Sequence, residues 1–331
     1  MPTSHGRSST MSVALALGTV YLVWGSTYLA IAYVVETLPP IMAGGIRFTI
    51  AGSLLLAFIL AQARWRRRRA PGSRLIRPRL IEWRTAAIVG TFLLLGGNGL
   101  VSVAELRIPS YIAAVIIATV PIWMSLGEAV LTRRMPSWLA IGGLVVGLVG
   151  VAILLLPTEG IDAIDPIGIA IVVCSALSWT AGSLYARRAP LPANQLMGSG
   201  MEQLVGGGVM LGVAVLLGEY ASVEPGSIST ASLLALGYLI VFGSLIAFTA
   251  YVWLLEHAPI STVATYAYVN PVVAVFLGLL FRDEPLTPRT LLAAALIIGA
   301  VVAMVSGRPR EADEAGPGPE VASLEPADDA A

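Results

Sequence analysis

Arg47 and Glu202 stand out in this sequence because each places a charge inside a long apolar run. A charge at mid-span costs about 2.5–3.5 kcal/mol on insertion scales, so each needs a partner, water or an interface. Arg47 suits structure or gating, or else capture of a carboxylate through its forked donors. Glu202, next to Gln203, suits proton exchange during a transport cycle, or a static tie between helices. Asn98 and Asn270 are amides in equally apolar surroundings and also require partners. Helical spacing gathers further groups onto shared faces. Asn98, Ser102 and Glu105 form one such stripe. Tyr21, Trp24 and Tyr28 form a second, Ser175, Ser178, Gly182 and Tyr185 a third, and Thr262, Thr265, Tyr266 and Asn270 a fourth. Together they could enclose a cavity with aromatic walls and a few polar anchors. The competing reading is interface anchoring for Tyr and Trp, and helix packing for Ser, Thr and Gly. Trp24 and Trp179 lie too deep to be anchors, which leaves cavity lining or packing. Gly143 and Gly147 are read as packing alone.

Other chemistry lacks its parts. Cys174 is the only cysteine, and His5 and His257 are the only histidines. No metal site, cofactor or catalytic group is therefore expected. The 20 basic residues are all Arg. A phosphate-binding G-x-x-x-x-G-K-[S/T] loop is thus impossible, and direct ATP drive by this chain is not expected.

These residues must be carried by membrane helices. Of 331 residues, 56% are hydrophobic and 12% charged, with mean hydropathy +0.83; soluble domains carry about 25% charged residues. The expected fold is an all-α polytopic membrane protein. Apolar runs of about 20 residues, the length that crosses a bilayer core, predict ten spans. They cover 11–35, 41–61, 85–104, 110–131, 138–156, 166–186, 195–217, 231–255, 260–280 and 290–306. Nine arginines fall between Arg64 and Arg84, and seven of the 20 acids fall in the last 21 residues. With the N-terminus inside, 16 of the 20 arginines lie on the inner side, as the positive-inside rule requires. The Arg-rich loop is read as a topology determinant touching anionic lipid, with partner binding as the other reading. Nucleic-acid binding has no support. The acidic segment 307–331 is expected to be a disordered cytoplasmic tail.

The sequence also matches itself. Pro109 to Pro121 and Pro259 to Pro271 each make a twelve-residue step, in the fourth and ninth spans. Trp24-Gly-Ser-Thr-Tyr28 in the first span matches Trp179 and the Gly-Ser-Leu-Tyr185 that follows it in the sixth. Residues 11–156 and 166–306 are therefore expected to be two five-helix repeats, after a cytoplasmic tail at 1–10. Five is odd, so the second repeat enters the membrane inverted, which is the arrangement that gives alternating access around a midplane site.

Several segments resemble the EamA branch of the drug/metabolite transporter superfamily over about residues 11–306. They are Trp24-Gly-Ser-Thr-Tyr28, Gly44-Gly-Ile-Arg47-Phe, Gly97 through Glu105, Ala118-Thr-Val-Pro121, Ser178-Trp179 and Ala267 through Val275. The resemblance implies a ten-helix carrier of the bacterial inner membrane that moves small metabolites, often amino-acid-related compounds or drugs, usually outward. The acid that the family often places after the ninth span is Glu284, whereas Arg134 takes the matching place after the fourth. Partners expected on this reading are a small-molecule substrate, membrane lipid, coupled protons and a second copy in a homodimer. The other function class is a membrane-embedded lipid-modifying enzyme, which would need clustered acids, histidines or a metal site near one face. Cysteine scanning on a Cys174→Ser background tests the topology: cysteines at positions 72 and 318 should stay unlabelled by an impermeant reagent in intact cells. Labelling of either from outside overturns it.

Overall fold

The computed structural model describes residues 10–69, 78–133, 138–155, 165–192, 194–258, 263, 266–282 and 287–306. Both chain tails, Thr262, Thr265, Arg134, Glu284 and part of the Arg-rich loop lie outside these. Among the described residues every regular element is helical and none is a strand. In chain order they are α1 (Thr10–Val35), α2 (Pro40–Arg69), α3 (Leu80–Ala104), α4 (Ser110–Thr132), α5 (Trp138–Leu155), α6 (Pro166–Ala186), α7 (Gln195–Leu216), α8 (Thr230–Leu254), α9 (Tyr266–Arg282) and α10 (Pro288–Ser306). Seven of them, α1 to α4 and α6 to α8, contain stretches long and apolar enough to cross a bilayer; Val269–Phe281 and Leu291–Ala300 are shorter apolar stretches in α9 and α10.

Local chemistry sets the boundaries. Pro40, Pro166 and Pro288 sit at helix starts, where a missing N–H costs nothing. Asp165 caps α6 by accepting from the Ile167 amide, Asn194 caps α7 through Met197, and Ser229 caps α8 through Ser232. α2 continues beyond the apolar run that ends at Ala61 and reaches Arg69, because Ala, Gln and Arg sustain a helix until Pro71 approaches. α4 is interrupted by a turn at Ala118 and Thr119, just before Pro121, and it ends at Arg133 in the left-handed region (φ 53°).

Helical winding itself departs from expectation in two places. Thr91–Gly99 in α3 and Leu239–Ala247 in α8 are π-helical. These are the third helices of the two matching sequence halves. The Gly96-Gly97-Asn98-Gly99 cluster lies in the first of these widened stretches and lets α6 approach closely, a Cβ on Gly97 coming within 2.8 Å of the Trp179 ring. Hydrogen bonding from i to i+5 alters which carbonyls the helix satisfies itself, and neighbouring side chains supplement it. Ser175 and Ser178 of α6 donate to Gly97 O and Phe92 O, both at 2.8 Å, and Gln203 of α7 donates to Ser244 O at 3.4 Å.

The two halves are interleaved. α1 packs mainly on α8 and α9 of the other half, while α6 packs on α3 and α4. α2 and α7 share the most extensive helix–helix contact, and glycine makes it possible. A Cβ on Gly52 would lie 2.3 Å from Leu204 N and 2.7 Å from Gly200 O; one on Gly207 would lie 2.5 Å from Thr49 N and 3.0 Å from Gly45 O. Gly45 and Gly52 are seven residues apart, as are Gly200 and Gly207, and the pairs are offset by the 155 residues that relate Trp24 to Trp179. The contact is therefore reciprocal, each helix laying its glycines on the other's backbone.

Polar contacts join the two halves where α1 ends. Tyr33 donates to Phe281 O at 3.0 Å, Thr37 to Ser232 Oγ at 2.7 Å, and the Ile41 and Met42 amides to the Glu219 carboxylate at 3.3 and 2.6 Å. Arg107 pairs with Asp165 at 2.8 Å. The hydrogen bond from Arg107, then the Ile167 amide, hold the Asp165 carboxyl below its ordinary range. At the opposite end Glu128 pairs with Arg187 at 3.3 Å.

The crossing is directly testable. Gly52→Val or Gly207→Val drives a side chain into backbone that cannot move away, at a cost of about 3 kcal/mol, the upper end for overpacking. Gly208→Ala and Gly212→Ala, which meet nothing within 4 Å, should leave stability unchanged. Thermal unfolding of the detergent-solubilised protein reads both; equal melting temperatures for all four variants would refute the close approach.

Candidate functional site

Trp24 and Trp179, equivalent residues of the two halves, meet edge to face with ring centroids 5.9 Å apart and planes at 90°. Tyr251 lies 4.8 Å and Tyr266 5.3 Å from Trp24, and the two tyrosines are 5.8 Å from each other. Such geometries suit the ring quadrupoles. The cluster joins α1, α6, α8 and α9 at one place.

Above it lies an internal cavity of about 70 Å³. The first half contributes Trp24, Tyr28, Arg47 and Asn98 to its wall, and the second contributes Trp179, Phe248, Tyr266 and Asn270. Its volume is far below the roughly 300–1,000 Å³ of open ligand pockets, so the site is contracted in this conformation. The wall is mixed: aromatic faces supply apolar contact, while amides and one guanidinium supply hydrogen bonds.

Each polar group is held from behind. Asn98 donates to Leu93 O, five residues back, at 3.4 Å, a contact set up by π winding. Asn270, its amide oriented to suit its neighbours, donates to Tyr266 O at 3.2 Å and Tyr21 O at 3.3 Å. These contacts occupy its N–H groups and leave the amide oxygen as acceptor. Arg47 is 5% exposed. Its Nε donates to Ser244 Oγ at 2.8 Å, and its guanidinium carbon is 4.6 Å from the Phe48 ring centroid.

The remaining sequence candidates lie elsewhere. Ser102 is buried and donates back to Asn98 O at 3.0 Å. Glu105 lies just past the end of α3, near enough to Tyr28 for charge to be felt there. Ser178 faces α3 and bonds Phe92 O. Glu202 is buried in α7. Among the described residues no ion pair joins Glu202 to Arg47. The guanidinium turns instead toward α8 and the cavity.

Four contributors were not singled out from sequence. Ser244 is the only hydroxyl in Leu239–Ala247, and a lone polar residue in an apolar run was its available signal. Thr27 lies inside the Trp24–Tyr28 motif. Tyr251 and Phe248 had no signal, since aromatic residues in an apolar run are ordinary. A second cleft, of about 610 Å³, is lined by Leu15, Gln195, Leu196, Thr249 and Trp253 among others. It lies between α1, α7 and α8 and shares no residue with the central cavity.

Comparison with known proteins agrees with this architecture. The EamA-like transporter family matches twice, over residues 11–156 and 166–306. The chain is 39% identical to the inner membrane transporter YedA of Escherichia coli K12 over 297 residues, covering 88% of this chain and 90% of YedA. It is 24% identical over 285 residues to the S-adenosylmethionine/S-adenosylhomocysteine transporter of Chlamydia trachomatis, covering 83% and 84% of the two chains. A crystal structure with 21% identity superposes with a TM-score of 0.60 over 89% of this chain and 96% of that one, which supports the fold. With its multiple apolar helices, duplicated domain and cavity shared between the halves, the chain is a multi-pass membrane protein belonging to the EamA-like transporter family.

Proposed function

We propose that the protein is a secondary-active carrier of the bacterial inner membrane that exports small metabolites, amino-acid-like compounds foremost, by alternating access. On this reading it crosses the membrane ten times as two inverted five-helix repeats, with both termini cytoplasmic. The observation that carries the proposal is the central cavity, to which equivalent elements of both halves contribute. Inverted repeats related by an axis in the membrane plane let one site open to either side. The named substrate of the Chlamydia relative, a small nitrogenous organic solute, is in keeping with an amide-and-aromatic wall.

The end where α1 finishes is taken as periplasmic, since few arginines fall there. Its ties, Tyr33 to Phe281, Thr37 to Ser232 and Glu219 to α2, would hold that side closed and would have to release for outward opening. The π-helical stretches of α3 and α8 flank the cavity and are placed as the points where those helices bend. Trp24, Tyr28, Asn98, Trp179, Tyr266 and Asn270 line the solute pathway. Ser102 and Ser178 support it through Asn98 O and Phe92 O, and Glu105 borders its periplasmic mouth.

Glu202 is the candidate for proton coupling. It is 6% exposed, and gaining or losing a proton changes the cost of burying it. Counterflow of labelled solutes in proteoliposomes tests both statements. Solutes should exchange without chemical change; product formation, or no exchange by a folded protein, defeats the carrier reading. Glu202→Gln should preserve exchange while abolishing accumulation driven by a pH gradient. Wild-type accumulation with unchanged pH dependence would remove Glu202 from the coupling role.

A further inference from the structure

Transport alone does not explain the state of Arg47. Its Nε–H to Ser244 is the one hydrogen bond it makes among the described residues, although a guanidinium carries five N–H donors. No carboxylate of the described residues lies within ion-pair distance. Glu202, at the equivalent position of the other half, does not supply one. The Phe48 ring face attracts the cation without neutralising it.

The arginine is nevertheless firmly placed. Ser244 fixes Nε, and Ser244 O in turn accepts from Gln203 at 3.4 Å. A Cβ on Gly243 would come within 2.8 Å of Nη2, so the absence of a side chain there makes room for the guanidinium. The side chain forms part of the cavity wall, so its unused donors are on the path a solute would take. A fixed, uncompensated cation costs about 2.5–3.5 kcal/mol at mid-span, a cost that an anionic ligand would offset.

We propose that Arg47 is the anion-binding group of the central cavity, and that the solutes it receives carry a single carboxylate held by the terminal amino groups. One guanidinium matches one negative charge. A dianionic phosphate would leave net charge buried, with no second cation among the described residues that line the cavity. The rest of the wall, with Trp24, Tyr266, Asn98 and Asn270, favours a compact acid with a partly apolar body. That these ligands are transported rests on the carrier reading; the binding geometry does not.

The experiment uses the purified full chain and a panel of small aliphatic, aromatic, 2-amino and 2-oxo acids, each beside its primary amide. Binding is read by intrinsic tryptophan fluorescence, to which the Trp24–Trp179 pair is adjacent. Acids should bind about 30-fold or more tightly than their amides, the range for a buried charge pair losing one partner. Arg47→Gln should erase that preference, and Arg47→Lys should retain it at reduced affinity. Should Arg47→Gln fail to fold, the acid–amide comparison on the unaltered chain and the lysine variant decide the matter. Equal binding of acids and amides, undiminished acid binding by Arg47→Gln, or no acid bound at millimolar concentration each overturns the proposal. Counterflow on the same pairs separates the two readings. Exchange of uncharged solutes alone keeps the carrier and refutes the anion site. Arg47-dependent acid binding without any exchange upholds the site while the carrier reading falls.

Discussion

The close approach of α2 and α7 is the constraint on which the rest of the structure depends. Gly45, Gly52 and Gly207 bring two backbones together where a larger residue would meet the backbone of the facing helix. Lipid tails are as apolar as leucine, so little hydrophobic drive remains to hold membrane helices together. Intimate packing at small residues takes its place. Because the crossing is reciprocal, it fixes the relation between the halves as well as the distance between two helices. α1 and α6 can then exchange places, each lying against the other half. Their tryptophans meet as a consequence. The cavity is the space enclosed by that interleaving.

Much of the fold was legible because the bilayer imposes simple rules. Apolar length, proline position and arginine distribution marked the helices, and Pro40, Pro166 and Pro288 do open helices. Winding was not legible. A periodicity of 3.6 residues treats Thr91–Gly99 as ordinary helix, whereas the structure winds it as π. The preference depends on Ser175 and Ser178, which approach from a helix distant in sequence. The glycine crossing was legible in principle, through two seven-residue spacings repeated at the same offset as the tryptophans. The shorter GxxxG spacing of Gly143 and Gly147 in α5 is the more conspicuous packing signal.

The site divided along the same line. Trp24, Asn98, Trp179 and Asn270 stood out as polar or bulky groups in apolar runs, and they converge on one cavity. Ser102 and Ser178 have the right spacing, yet their hydroxyls are spent on backbone carbonyls. Spacing identifies a face, but it cannot tell which neighbour claims a hydroxyl. The same limit applies to Arg47. Depth and charge made it conspicuous, but its choice of Ser244 over Glu202 depends on which way α8 presents its only hydroxyl in Leu239–Ala247.

The crossing is matched in glycine and mismatched in charge. Arg47 and Glu202 occupy equivalent places on α2 and α7, so a rotation that interchanges the halves would interchange a cation with an anion. On the proposed alternating-access cycle, identical residues here would add no energy difference between conformations open to opposite sides. With opposite charges those proposed states would differ, since a guanidinium would be the group hydrated in one and a carboxyl in the other. A ligand or proton that binds one of these groups then has a differential affinity for the two states, and only a differential affinity can shift such an equilibrium. In that proposed cycle the repeated backbone would make two states geometrically available, and the charge asymmetry would make them energetically distinguishable.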